Sequence, residues 1–178
     1  IALSAFLPIK AFKAFSLNTF PQRIVSGMPS ITEMLFALDL GDRVVGVTTN
    51  CNYPPEARRK PKVGGFFLNL EKVVSLKPDL VIMLQDAQKR DVDRFRAYGL
   101  KVYTINPHTV NEVMEDLLKV GDLTGKGAEA RSLVESMKRR IDAARPRLFG
   151  LAFILSRPRV LAIVGYNPLI VAGGNTFI

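Results

Sequence analysis

Between Arg23 and Gly165, short apolar runs alternate with stretches whose apolar residues recur every three or four positions. The segments Arg23–Gly27 (RIVSG), Arg43–Thr48 (RVVGVT), Leu80–Leu84 (LVIML), Lys101–Asn106 (KVYTIN) and Arg159–Gly165 (RVLAIVG) have the length and composition of strands. Lys62–Gly65 reads as a short extended piece ending in two glycines. Between them the spacing predicts helices. Ile31, Met34, Leu35 and Leu38 share one helical face. Ser30 with Glu33 predicts a capping box at its start, and Gly41 a stop. Asn69 predicts the cap of a short helix with Leu70, Val73, Val74 and Leu76 inward, broken by Pro78-Asp79. Gln88–Tyr98 is amphipathic and closed by Gly99. Thr109 and Glu112 form a second capping box, opening a helix to about Val120. A longer helix runs from about Lys126 to Arg145, with Pro146 ending or kinking it. Its roughly 20 residues, at about 1.5 Å each, span about the width of a small domain.

Alternating strands and helices with short connections predict an α/β fold: a three-layer, Rossmann-like lobe with a mostly parallel sheet and helices on both faces, followed by the long helix. The fully apolar run LVIML suits a strand covered on both sides. In such a sheet, ligands bind beyond the carboxyl ends of the strands. Those ends hold Gly27-Met28-Pro29-Ser30, Thr49-Asn50-Cys51-Asn52-Tyr53, Gly64-Gly65-Phe66-Phe67 and Gln85-Asp86. The candidate ligand-binding residues are therefore Met28, Pro29, Ser30, Asn50, Tyr53, Phe66 and Phe67. Met28, Tyr53, Phe66 and Phe67 would make an apolar, aromatic wall for a large flat ligand. Phe66 and Phe67 could equally pack beneath their own loop.

Composition narrows the chemistry. The chain has 178 residues, 48% hydrophobic and 23% charged, as in folded globular proteins. Twenty-five Lys and Arg against sixteen Asp and Glu give a net charge of +9. The basic residues are scattered, with small clusters at Arg58–Lys60 and Lys138–Arg140. No basic stripe or aromatic–basic interleaving marks a nucleic-acid footprint. With one cysteine (Cys51) and one histidine (His108), neither a disulfide nor a Cys/His zinc site can be assembled. His108 reads as a loop histidine and Asp79 as a turn residue. No phosphate loop, dinucleotide fingerprint or nucleophile elbow occurs. No catalytic residue, protein-bound cofactor or metal site is assigned, and a binding module is favoured over an enzyme.

The two ends add context. Ile1 to Ile9 is almost wholly apolar and is followed by Lys10, Lys13 and small residues, so residues 1–22 read as the remnant of an export signal or an N-terminal extension. The apolar run is too short to span a bilayer, which needs about 20 residues. Thr176-Phe177-Ile178 looks like the opening of another element, and the natural chain is expected to continue.

Several segments in order carry a family likeness: Ser26–Glu33 (SGMPSITE), Val45–Thr48 (VGVT), Tyr53–Ala57 (YPPEA), Lys62–Gly65 (KVGG), Asn69–Ile82 (NLEKVVSLKPDLVI), and Asn167-Pro168-Leu169 with Ala172-Gly173. From Arg23 to Ile178 the chain closely resembles the substrate-binding proteins of ABC importers for cobalamin, haem and iron-siderophores. The resemblance implies two α/β lobes joined by one rigid helix, with a small metal-chelate ligand held between them and delivered to a membrane permease outside the cytoplasm. Residues 23–125 would be the first lobe, 126–149 the linking helix and 150–178 the start of an incomplete second lobe. It also implies that Glu71, in Asn69-Leu70-Glu71, docks into permease arginines. The segment Leu148–Leu155 (LFGLAFIL) is more apolar than the family pattern leads one to expect. The alternative is a stand-alone single-lobe binding or oligomerising domain for a metal chelate.

Overall fold

The computed structural model describes residues 20–148, 161–166 and 169–171. Strands β1 (Ile24–Ser26), β2 (Val44–Gly46), β3 (Leu80–Leu84) and β4 (Val102–Ile105) form one sheet in the order β2-β1-β3-β4. Every pairing in it is parallel. Helices α1 (Pro29–Ala37), α2 (Leu70–Ser75), α3 (Lys89–Ala97), α4 (Val110–Thr124) and the long α5 (Gly127–Leu148) complete the lobe. The strand expected at Arg159–Gly165 is described from Ile163 to Tyr166 as β5, paired antiparallel with β6 (Leu169–Val171).

Successive strand residues point to opposite faces, and the two faces are buried by different helices. Ile24, Val44, Leu80, Ile82 and Ile105 pack with Leu35 of α1, Leu117 of α4 and Val134 of α5. Val25, Val81 and Met83 pack with Val73 of α2 and with Val92 and Phe95 of α3. This is the three-layer arrangement expected from the alternation of elements. The chain enters it through a polar clamp. Asp79 accepts hydrogen bonds from the backbone N–H of Gln22 (2.7 Å) and Arg23 (3.0 Å), while the Arg23 guanidinium donates to the carbonyls of Leu76 and Lys77. Asp79 therefore does more than make a turn: it fixes the start of β1 against the start of β3, joined by Asp79 and Leu80 N–H bonds to the Arg23 carbonyl.

Four local expectations are corrected. Ser30 is not the cap of α1. Pro29 takes the first helical position, where its missing N–H costs nothing, so the cap falls on Met28, which offers no side-chain bond. Gly41 is not the stop of that helix: it ends at Ala37, Asp39 turns with φ +56°, and Gly41 opens a short 3-10 turn. Helix α4 does not finish near Val120 but runs to Thr124. Gly121 lies inside it because α5 crosses there; a Cβ at this position would stand 2.5 Å from that of Ala130. Finally, Pro146 does not end α5, which continues to Leu148. The predicted cap at Asn69 is present, its Oδ1 accepting from Lys72 N–H at 2.8 Å. The second capping box is half as drawn: Thr109 Oγ1 accepts from Glu112 N–H, but the Glu112 carboxylate reaches the N–H of His108. Most of Leu148–Leu155, the export-like residues 1–19 and the turn at Gly173–Asn175 lie outside the described residues.

Candidate functional site

The strand order places a topological switch between β1 and β3. The chain leaves β1 toward β2 on one side, then returns to β3 on the other, so the connections part at the carboxyl ends of β1 and β3. A crevice at such a point is where open parallel sheets hold ligands. Gly27 N–H donates to Ile82 O at 2.8 Å, carrying the β1–β3 pairing to the lip of the crevice. Met28 and Pro29, both half-buried, follow directly in the chain.

A buried polar cluster fixes this lip. Ser26 Oγ shares a hydrogen bond with Thr32 Oγ1 (2.8 Å) and donates to Met28 O (3.0 Å). The Cys51 sulfur lies 3.1 Å from the hydroxyls of Thr32 and Thr48. The Cys51 thiol is thus a structural partner linking β1, α1 and the exit of β2, buried away from solvent. Thr49 N–H donates to Gly64 O at 2.8 Å, which brings the loop of Asn50 and Tyr53 against the Gly64–Phe67 loop. The rim so formed carries exposed aromatic rings: Tyr53 is 61%, Phe66 44% and Phe67 65% accessible. Phe66 and Phe67 meet edge to face with centroids 5.1 Å apart. Of the two alternatives for these rings, packing beneath their own loop is excluded. Asn50 is exposed on the same rim.

Ser30 is exposed. It lines a hollow of about 450 Å³ between α1, α4 and α5, with Met34, Leu84, Asn106, Leu133 and Met137 among its other walls. Asn106 there donates to Asp86 at 2.6 Å and lies 3.1 Å from His108 Nε2, so His108 is an exposed loop residue in a small polar chain. On the outer side of β4 a second hollow holds Tyr103, Asp116 and Lys119. Burial pushes the Asp116 carboxyl above its ordinary range, opposed by Lys119 at 3.5 Å; burial, then Asp116, raises the Tyr103 phenol. Glu71 is exposed in the first turn of α2. Among the described residues no group of three or more His, Cys, Asp or Glu could hold a metal ion, and no helix is long and apolar enough to cross a membrane.

One residue of the site escaped the sequence reading. Gln88 is 1% accessible. Its amide nitrogen donates to Gly27 O (3.1 Å) and Phe66 O (2.8 Å), and its amide oxygen accepts from Leu84 N–H (3.1 Å). A single side chain thus joins the ends of β1 and β3 to the aromatic loop. The available signal was a polar residue at 88 on the face of α3 that carries Val92 and Phe95.

Residues 24–178 match the model of the periplasmic binding protein family. The chain belongs to that family. As a periplasmic binding protein it is similar to an ABC transporter substrate-binding lipoprotein of Bacillus subtilis, at 43% identity over 66% of this chain and 39% of the relative. It is 28% identical to a vitamin B12-binding protein of Photorhabdus laumondii over 99% of this chain and 63% of the relative. Its fold matches a periplasmic heme binding protein from Pseudomonas aeruginosa with a TM-score of 0.80 and 28% identity, over 88% of this chain and 58% of that one. The chain therefore spans less than two thirds of the length of these relatives.

Proposed function

We propose that this chain is the first lobe of a solute-capture protein of an ABC importer, and that its ligand is an iron-siderophore, a haem or a cobalamin. The observation that carries the reading is the exposed aromatic rim at the β1–β3 switch point. Three rings held out in water gain free energy only when a partner covers them, at roughly 25 cal/mol for each Å² of apolar surface removed from water. A wide, partly apolar chelate offers such a face. In this reading the protein performs no covalent chemistry, and the metal arrives already coordinated within its chelate. A second lobe, which residues 150–178 would begin, supplies the opposite wall.

Phe66→Ala in the full-length protein tests the site. Removing one aromatic contact is expected to weaken binding by about 1 kcal/mol or more, roughly fivefold. Because Phe66 is exposed, the melting temperature should hardly change. Titrations with haemin, cyanocobalamin and a ferric hydroxamate identify the ligand and measure the loss. Wild-type affinity in Phe66→Ala for whichever ligand binds would remove the aromatic rim from the site.

Export is part of the same proposal, supported by the apolar segment Ile1–Ile9 and by relatives that are periplasmic or lipoproteins. Expressed from its own start, the protein is expected in the periplasmic or surface fraction with its leader removed. Recovery of the intact chain from the cytoplasm would refute it. Glu71 is proposed to dock on the permease, because it stands exposed at the start of α2, just after the aromatic loop.

A further inference from the structure

We propose that Gln88, Asp91 and Arg94 of the α3 segment are positioning residues that hold the aromatic loop, and so set the affinity of the site without touching the ligand. The inference rests on the functional reading above and extends it to residues outside the ligand surface. The three side chains recur every third position along α3, and each takes hold of the loop backbone. Gln88 donates to Phe66 O at 2.8 Å. Asp91, 3% accessible, accepts from Leu68 N–H at 2.7 Å. Arg94 donates to Leu68 O at 2.7 Å and pairs with Asp91 at 3.1 Å. The ion pair offers Leu68 an acceptor and a donor together, as a neighbouring strand would. Arg94 is itself steadied by lying over the Phe95 ring, 5.4 Å from its centroid.

The loop has limited means of holding this shape by itself. It closes on a lone Gly64–Leu68 bridge and an Asn69 N–H bond to Val63 O. Gly64 sits at φ +136°, and a Cβ there would come within 2.6 Å of Phe67 O. With Phe66 and Phe67 exposed, only Leu68 anchors the segment by burial. Without the three polar contacts the rings would sample many orientations, and ordering them on binding would cost affinity.

The test uses the full-length protein with Gln88→Met, Arg94→Met and Arg94→Lys. Gln88→Met fills the same space without the amide, and Arg94→Lys keeps a cation beside the buried Asp91 that Arg94→Met leaves unpaired, so it separates loss of the fork from loss of the charge. Amide exchange at Phe66–Asn69 is expected to rise roughly tenfold in the two Met variants, the effect of losing hydrogen bonds worth about 1.4 kcal/mol together. Exchange at Val81–Met83 should stay unchanged, and Arg94→Lys should recover part of the protection. Dissociation of haemin, cyanocobalamin or the ferric hydroxamate, whichever binds, should accelerate several-fold. Unchanged loop exchange in both Met variants would overturn the proposal. So would a loosened loop with wild-type affinity for a ligand that Phe66→Ala weakens. If Phe66→Ala itself has no effect, the failure belongs to the ligand site and not to the clasp.

Discussion

Full-length protein carrying Glu71→Arg is expected to fold and bind its ligand as the wild type does, yet to lose most of its stimulation of the transporter's ATP hydrolysis. The asymmetry follows from where Glu71 stands. It is exposed in the first turn of α2, whose start is already capped by Asn69. A carboxylate there gains at most about 0.3–1 kcal/mol from the helix dipole. Paired with a permease arginine and removed from water, the same carboxylate can matter by about 2–5 kcal/mol, because its loss leaves the arginine buried without a partner. An arginine at 71 adds repulsion to that loss. Stimulation should fall by roughly thirtyfold or more at a fixed protein concentration. Ligand affinity and transporter-stimulated ATP hydrolysis, measured side by side, separate the outcomes. Unchanged stimulation would take Glu71 off the docking surface, and lost ligand affinity would put it in the cleft.

Phe95→Ala is expected to be the most destabilising of the substitutions considered. The ring is fully buried. It fills the face of the sheet occupied by Val25, Val81 and Met83, and it shares that core with Val63, Leu68, Val73 and Val92. Truncating a buried Phe costs about 3–5 kcal/mol through lost transfer energy and the cavity left behind. Against a total stability of about 5–15 kcal/mol, that is a large part of the whole. The denaturant midpoint should fall sharply with an unchanged slope. A second consequence is local. Leu68 packs in the same cluster, and Arg94 rests on the ring that would be missing, so the aromatic loop should loosen beyond what the global loss predicts. A cost below about 1 kcal/mol would mean that the site collapses around the alanine far better than such cores usually do.

The layer architecture was legible in the chain because burial imposes period. LVIML at 80–84 is β3 residue for residue, and Ile31, Leu35 and Val73 sit on the inner faces their spacing predicts. The cap at Asn69 was likewise readable, since a cap needs only its own helix start. The placement of Met28 after β1 and of Asn50 and Tyr53 beyond β2 followed from element order, whereas Phe66 and Phe67 lie in a loop closed by the Gly64–Leu68 bridge and not at the end of a strand.

What only the tertiary structure decided are contacts between segments far apart in sequence. Pro29 displaced the expected cap at Ser30, and Ser30 lines a hollow that exists only because α4 and α5 pack beside α1. Helix α4 runs past its expected end near Val120, and Gly121 within it gives room for α5 to cross at Ala130. Whether Phe66 and Phe67 face water could not be read from two adjacent rings, because the answer lies in the grip of Gln88, Asp91 and Arg94, 22 to 26 residues away. Each of those is a polar side chain satisfied by a backbone group of another element. Hydrophobic periodicity records which side of an element is buried; it carries no record of which distant carbonyl or N–H a buried polar group will meet.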